Sequence, residues 1–170
     1  MVYLIILVSV LMRFVPHLHN FSPVYGALLF GGANLKKRDS LWFPVVLLVA
    51  SDFVLTNLIY HLHTTWHEVF QAAAFASIVM VGWLLRERTS WTRFATACFA
   101  GPLAFFLISN FGVWYGFKTY PPNAAGLLAC YIVGIPYFGR TLVSTVLFAA
   151  LLFGFQEFWR SRQVHATQMN

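Results

Sequence analysis

Leu41–Tyr60 is twenty residues long and holds one charged side chain, Asp52. Spanning the ~30 Å hydrocarbon core of a bilayer takes about 20 apolar residues as a helix. The run is closed on one side by Lys36-Lys37-Arg38-Asp39 and on the other by the polar segment that begins at His61. The same alternation recurs at Val2–Val15, Phe21–Leu35, Val69–Leu85, Phe94–Tyr115 and Thr141–Phe158. With 59% hydrophobic and 9% charged residues in a chain of 170, six such runs leave no length for a soluble domain. The expected architecture is therefore an all-α membrane protein, one transmembrane domain over 1–170, with six spanning helices in a bundle.

Ala124–Gly134 does not fit the alternation. Lys118-Thr119-Tyr120-Pro121-Pro122-Asn123 precedes it and Ile135-Pro136-Tyr137 follows it. It is too short to span and too apolar to lie free in water, so a re-entrant or interfacial helix before the last span is expected. Val2–Met12 has neither the basic flank nor the small-residue cleavage site of a signal peptide, and is expected to stay as the first span.

Charge then sets an orientation. With the N-terminus inside, the inner loops hold Lys36, Lys37, Arg38, Arg86, Arg88, Arg93, Arg160 and Arg162, and the outer side only Arg13, Lys118 and Arg140. The positive-inside rule places both termini in the cytoplasm. It also accounts for the net charge of +6 without a nucleic-acid partner. Cys98 and Cys130 stand far apart in apolar settings, which argues against a disulfide framework.

Asp52 is the sharpest pointer to function. An acid within a span is costly unless it is paired, protonated or facing a wet cavity. One reading pairs it with Ser51, Thr56 or an arginine from a neighbouring helix. The other makes it contact a ligand or coupling ion. Asn57 lies about 140° around the helix from Asp52, and Thr56 shares the face of Asp52 more closely. The proposed orientation also gathers Asn20, Asn110, Trp114, Tyr115, Tyr120 and Asn123 at the outer side, with the histidines His17, His19, His61, His63 and His67. Amides, imidazoles and aromatics around an outer mouth suit a small, partly polar ligand. Trp114, Tyr115 and Tyr120 serve equally as an interfacial aromatic belt. His61, His63 and His67 are the candidates for a metal, although their spacing is not that of a helical pair and interfacial histidines explain them as well. No nucleophilic triad, phosphate loop or pair of catalytic carboxylates is present, so an enzyme is not expected, and no cofactor is named by any motif.

Two sets of motifs carry a resemblance. The first is Arg13-Phe14-Val15-Pro16-His17, Asn20-Phe21-Ser22-Pro23, Gly26-Ala27, Phe30-Gly31-Gly32 and then Ser51-Asp52. The second is Ser109-Asn110-Phe111-Gly112-Val113-Trp114, Tyr120-Pro121, Gly126-Leu127, Cys130-Tyr131 and Ile135-Pro136-Tyr137. Together they resemble a family of small bacterial integral-membrane proteins defined by a domain of unknown function. More distantly, the layout is similar to the substrate-binding S-components of energy-coupling-factor vitamin transporters. That resemblance implies six helices, both termini inside and an outward site. The first helix lacks the Ala-x-x-x-Ala docking motif of S-components, and Ser144 stands where the small family tends to have an Asp.

The expected function is thus binding and uptake of a vitamin-like small molecule by a solitary membrane protein. The binding residues would be Asn20, Phe21, Ser22, Asp52, Asn57, Asn110, Trp114, Tyr120 and Tyr131. The competing expectation is an accessory subunit of a larger membrane complex, with its eighteen Phe and six Trp forming contacts and its histidines reaching pigment or haem.

Overall fold

The computed structural model describes every residue except Pro16, His17, His19, Tyr60, Leu62, His63, Thr64, Thr65, Arg88, Met169 and Asn170, with the backbone alone over 164–168. The described residues form six helices. They are α1 (Val2–Leu11), α2 (Val24–Asn34), α3 (Lys37–Phe53), α4 (His67–Gly82), α5 (Trp91–Gly116) and α6 (Ala124–Gln168). A 3₁₀ turn, Met12–Phe14, extends α1, and another, Trp83–Leu85, extends α4; a π-helical turn, Val54–Ile59, extends α3.

Four helical stretches are long and apolar enough to cross a membrane: Lys37–Ile59, His67–Leu85, Trp91–Gly116 and Ala124–Gln163. Where six crossings are expected, two helices fall short. The Val2–Phe14 stretch covers about 20 Å and α2 about 16 Å at ~1.5 Å per residue, against a core of ~30 Å. The second correction concerns Ala124–Gly134. It is no separate re-entrant or interfacial helix but the first part of α6, which runs unbroken for 45 residues through Pro136. Proline removes one backbone hydrogen bond, and membrane helices absorb that loss when their flanks are packed. Here the flanks are held against α5: Tyr131 donates its hydroxyl to Leu107 O at 2.8 Å, and the Phe138 ring lies 5.2 Å from Phe106.

The short α2 is the hub. Nine of its eleven residues are buried, Val24 through Gly32. A helix apolar on all faces has to be enclosed by others, and α2 touches α1, α3, α4, α5 and α6. Glycine makes the approach possible. A methyl group added at Gly82 would sit 2.6 Å from Leu29 O, and one at Gly26 would sit 2.7 Å from Ala149 N. Gly32 is closed in by the Val79 carbonyl in the same way. Small residues that let backbones meet are the usual means of helix association in lipid. At its C-terminus α2 is capped by Arg86, whose Nη1 donates to Gly32 O at 3.0 Å and Leu35 O at 2.5 Å. These are carbonyls that the helix itself leaves unpaired, and a cation suits that end of the dipole.

Contacts between distant residues define the two ends of the bundle. Tyr3 to Asp39, Trp83 to Ser40 and Gln156 to Asn34 gather the start of α1, the α2–α3 turn, the end of α4 and the C-terminal half of α6 at one end. Arg13 to Asp52, Thr56 to Glu68 and Trp114 to Pro121 mark the other. Both chain termini thus belong to the end that carries Lys36, Lys37, Arg38, Arg86 and Arg93.

Candidate functional site

Because α2 begins only at Val24, it fills half the depth of the bundle. The halves of α3, α4, α5 and α6 beyond it stand around a space, and two adjoining chambers occupy that space. The larger holds about 540 Å³ and is lined by Arg13, Asn20, Ser22, Tyr25, Asp52, Thr56, Gln71 and Phe75 among others. The smaller holds about 340 Å³, and its wall includes His67, Ser109, Asn110, Tyr120, Cys130 and Tyr137. Asn20 and Gln71 line both chambers.

The Arg13–Asp52 pair anchors the larger chamber. Arg13 leaves the end of α1 and donates from Nη2 to Asp52 Oδ1 and from Nη1 to Ser51 Oγ at 2.6 Å. Ser51 Oγ in turn donates to Leu48 O at 2.8 Å, so the guanidinium is tied to the α3 backbone. The guanidinium also lies over the Phe75 ring, 5.5 Å from its centre, in cation–π geometry. Side-chain exposures of 17% for Arg13 and 12% for Asp52 leave each group a face toward the chamber. One turn on, the π-helical segment turns Thr56 into the wall, and its hydroxyl donates to Glu68 Oε1 at 3.1 Å. Single π turns recur at functional sites because they re-aim side chains within an otherwise regular helix. Asn20 is also set by backbone geometry. Its φ of 62° lies in the left-handed region, which asparagine tolerates better than most residues.

The residues singled out from sequence divide into two groups. Asn20, Ser22 and Asp52 line the larger chamber, and Asn110 and Tyr120 line the smaller. Phe21, Asn57, Trp114 and Tyr131 line neither. Phe21 packs edge-on against Phe148, Asn57 Nδ2 donates to Phe53 O at 3.0 Å, and Trp114 Nε1 closes the α5–α6 loop on Pro121 O at 3.0 Å. Of the metal candidates, His63 lies outside the described residues. His61 is exposed, and His67 borders the smaller chamber. No three His, Cys, Asp or Glu side chains among the described residues come together to hold an ion.

Arg13, Gln71 and Glu68 join the site without having been singled out. The sequence held a weak signal for Arg13, a lone cation between an apolar run and Pro16. Gln71 carries the same kind of signal, a polar side chain on the apolar face of α4.

Comparison with known proteins bears on the whole chain. No curated protein and no solved structure matches it. A family model described as "Family of unknown function (DUF6580)" matches residues 1–167, and the chain belongs to that family.

Proposed function

We propose that this protein binds a small molecule in the paired chambers and carries it across a bacterial cytoplasmic membrane. One observation carries the reading: two adjoining cavities, about 540 and 340 Å³, share Asn20 and Gln71 as a polar divide. Ligand sites are typically ~300–1,000 Å³ and mostly apolar, with a few placed polar groups. The walls here combine Tyr25, Phe75 and Phe105 with Asn20, Asp52, Gln71 and Asn110. Capture occurs at the end where these residues gather, and release occurs toward the basic end. By the positive-inside rule that basic end is cytoplasmic, with both termini there, and α1 and α2 complete the bundle between the four longer helices. The parallel is with an S-component working alone, by analogy only.

The test is purification in native lipid followed by mass spectrometry of released small molecules. A compound retained at one copy per chain, whose return raises the melting temperature, is the expected outcome. A protein that carries no compound, and instead purifies in a coloured complex of fixed stoichiometry, overturns the reading in favour of an accessory subunit.

A further inference from the structure

Resting on the ligand-chamber reading, the charges around the larger chamber name the chemistry of its ligand. Among the described residues those charges are Arg13, Asp52 and, behind Thr56, Glu68. One guanidinium faces two carboxylates, an excess of one negative charge in surroundings where charges are weakly screened. The guanidinium is held by one bond from each terminal nitrogen, to Ser51 and Asp52, with its face on Phe75, and its charge is offset by the Asp52 carboxylate.

Asp52 is engaged through one oxygen only. Its Oδ2 has no hydrogen-bond partner among the described residues. Since no enclosed side-chain oxygen among them lacks a partner, Oδ2 is open to the chamber that Asp52 lines. Nearby, the Asn20 and Gln71 amides border the same space, and Phe14 and Tyr25 supply flat apolar wall.

The geometry points to a ligand with a flat ring and one protonated nitrogen, an amine or amidinium, that donates to Asp52 Oδ2. Its ring lies along the aromatic wall, and a neutral polar edge meets Gln71 and Asn20. Arg13 holds the carboxylate in place and prevents it from turning away. An anionic ligand meets two carboxylates against one guanidinium, whose charge Asp52 already offsets.

The experiment uses the full chain in lipid nanodiscs and three probes of nearly equal size: benzamidinium, benzamide and benzoate. Dissociation constants come from ligand-observed NMR titration. Benzamidinium is expected to bind about tenfold or more tightly than benzamide, the scale of one charge-assisted hydrogen bond, and benzoate the most weakly. Asp52→Asn is expected to erase the difference between benzamidinium and benzamide. Should that variant not fold, the double variant Arg13→Gln/Asp52→Asn removes the pair as a unit and is expected to erase it too. Benzamide or benzoate binding as tightly as benzamidinium overturns the inference and leaves the chamber reading standing. A preference that survives either variant overturns it as well, and failure of all three probes to bind overturns both.

Discussion

Arg13 and Asp52 are thirty-nine positions apart in the chain and joined in space by one ion pair at the wall of a cavity. Removing one partner from such a pair leaves a charge that neither lipid nor protein solvates, whereas removing both leaves none. Arg13→Met is therefore expected to lower stability by about 3 kcal/mol. The double variant Arg13→Met/Asp52→Leu should recover most of that loss. Unfolding curves in the same detergent compare them, and a double variant no more stable than the single contradicts the account. The sequence made Asp52 legible because a lone acid in an apolar run has no cheap explanation. Its partner was not legible beyond the general expectation of a neighbouring arginine, since pairing across thirty-nine positions depends on which helices meet. Asn57, Trp114 and Tyr131 have the right chemistry but turn their polar atoms to nearby backbone carbonyls instead.

Among the helices, α2 and α6 depart furthest from a regular pattern of membrane spans. α2 is half a span and enclosed, and its packing rests on glycine. Gly32→Ala drives a methyl group into the Val79 carbonyl and should cost about 1–3 kcal/mol through forced separation of α2 and α4. Gly139→Ala on α6 meets nothing within 4 Å and should be neutral or stabilising by up to ~1 kcal/mol, the usual gain of Ala over Gly in a helix. Melting temperatures of the two variants, measured together, check the contrast. The presence of α3, α4 and α5 followed from hydrophobic run length, because that signal is local. The start of α3 did not, since the helix begins at Lys37, inside the basic cluster expected to be a loop. The continuity of α6 through Pro136 did not, because it depends on the ring contacts and the Tyr131 hydrogen bond that α5 provides.

For the molecule as a whole, charge and geometry agree on polarity. Lys36, Lys37, Arg38, Arg86 and Arg93 stand at the end where both termini lie, while the chambers open at the opposite half. If that basic end is cytoplasmic, single cysteines at Arg38→Cys and Gln163→Cys should resist an impermeant maleimide in intact cells. Lys118→Cys, exposed in the α5–α6 loop that also carries Tyr120, should react. The background for this test replaces Cys98 and Cys130, both buried. Labelling at position 38 with protection at position 118 reverses the proposed direction of transport.

What the amino-acid sequence determined alone was the solvent and the spacing. Runs of apolar residues closed by clusters of Lys and Arg demand lipid, and they mark where chains turn, because burial and charge placement act residue by residue. The tertiary structure decided what lies inside. Whether α2 spans or stops half way, and whether Asp52 meets Arg13, follow from several helices closing at once around glycine contacts. Such contacts join residues far apart in the chain and leave no periodic trace in it.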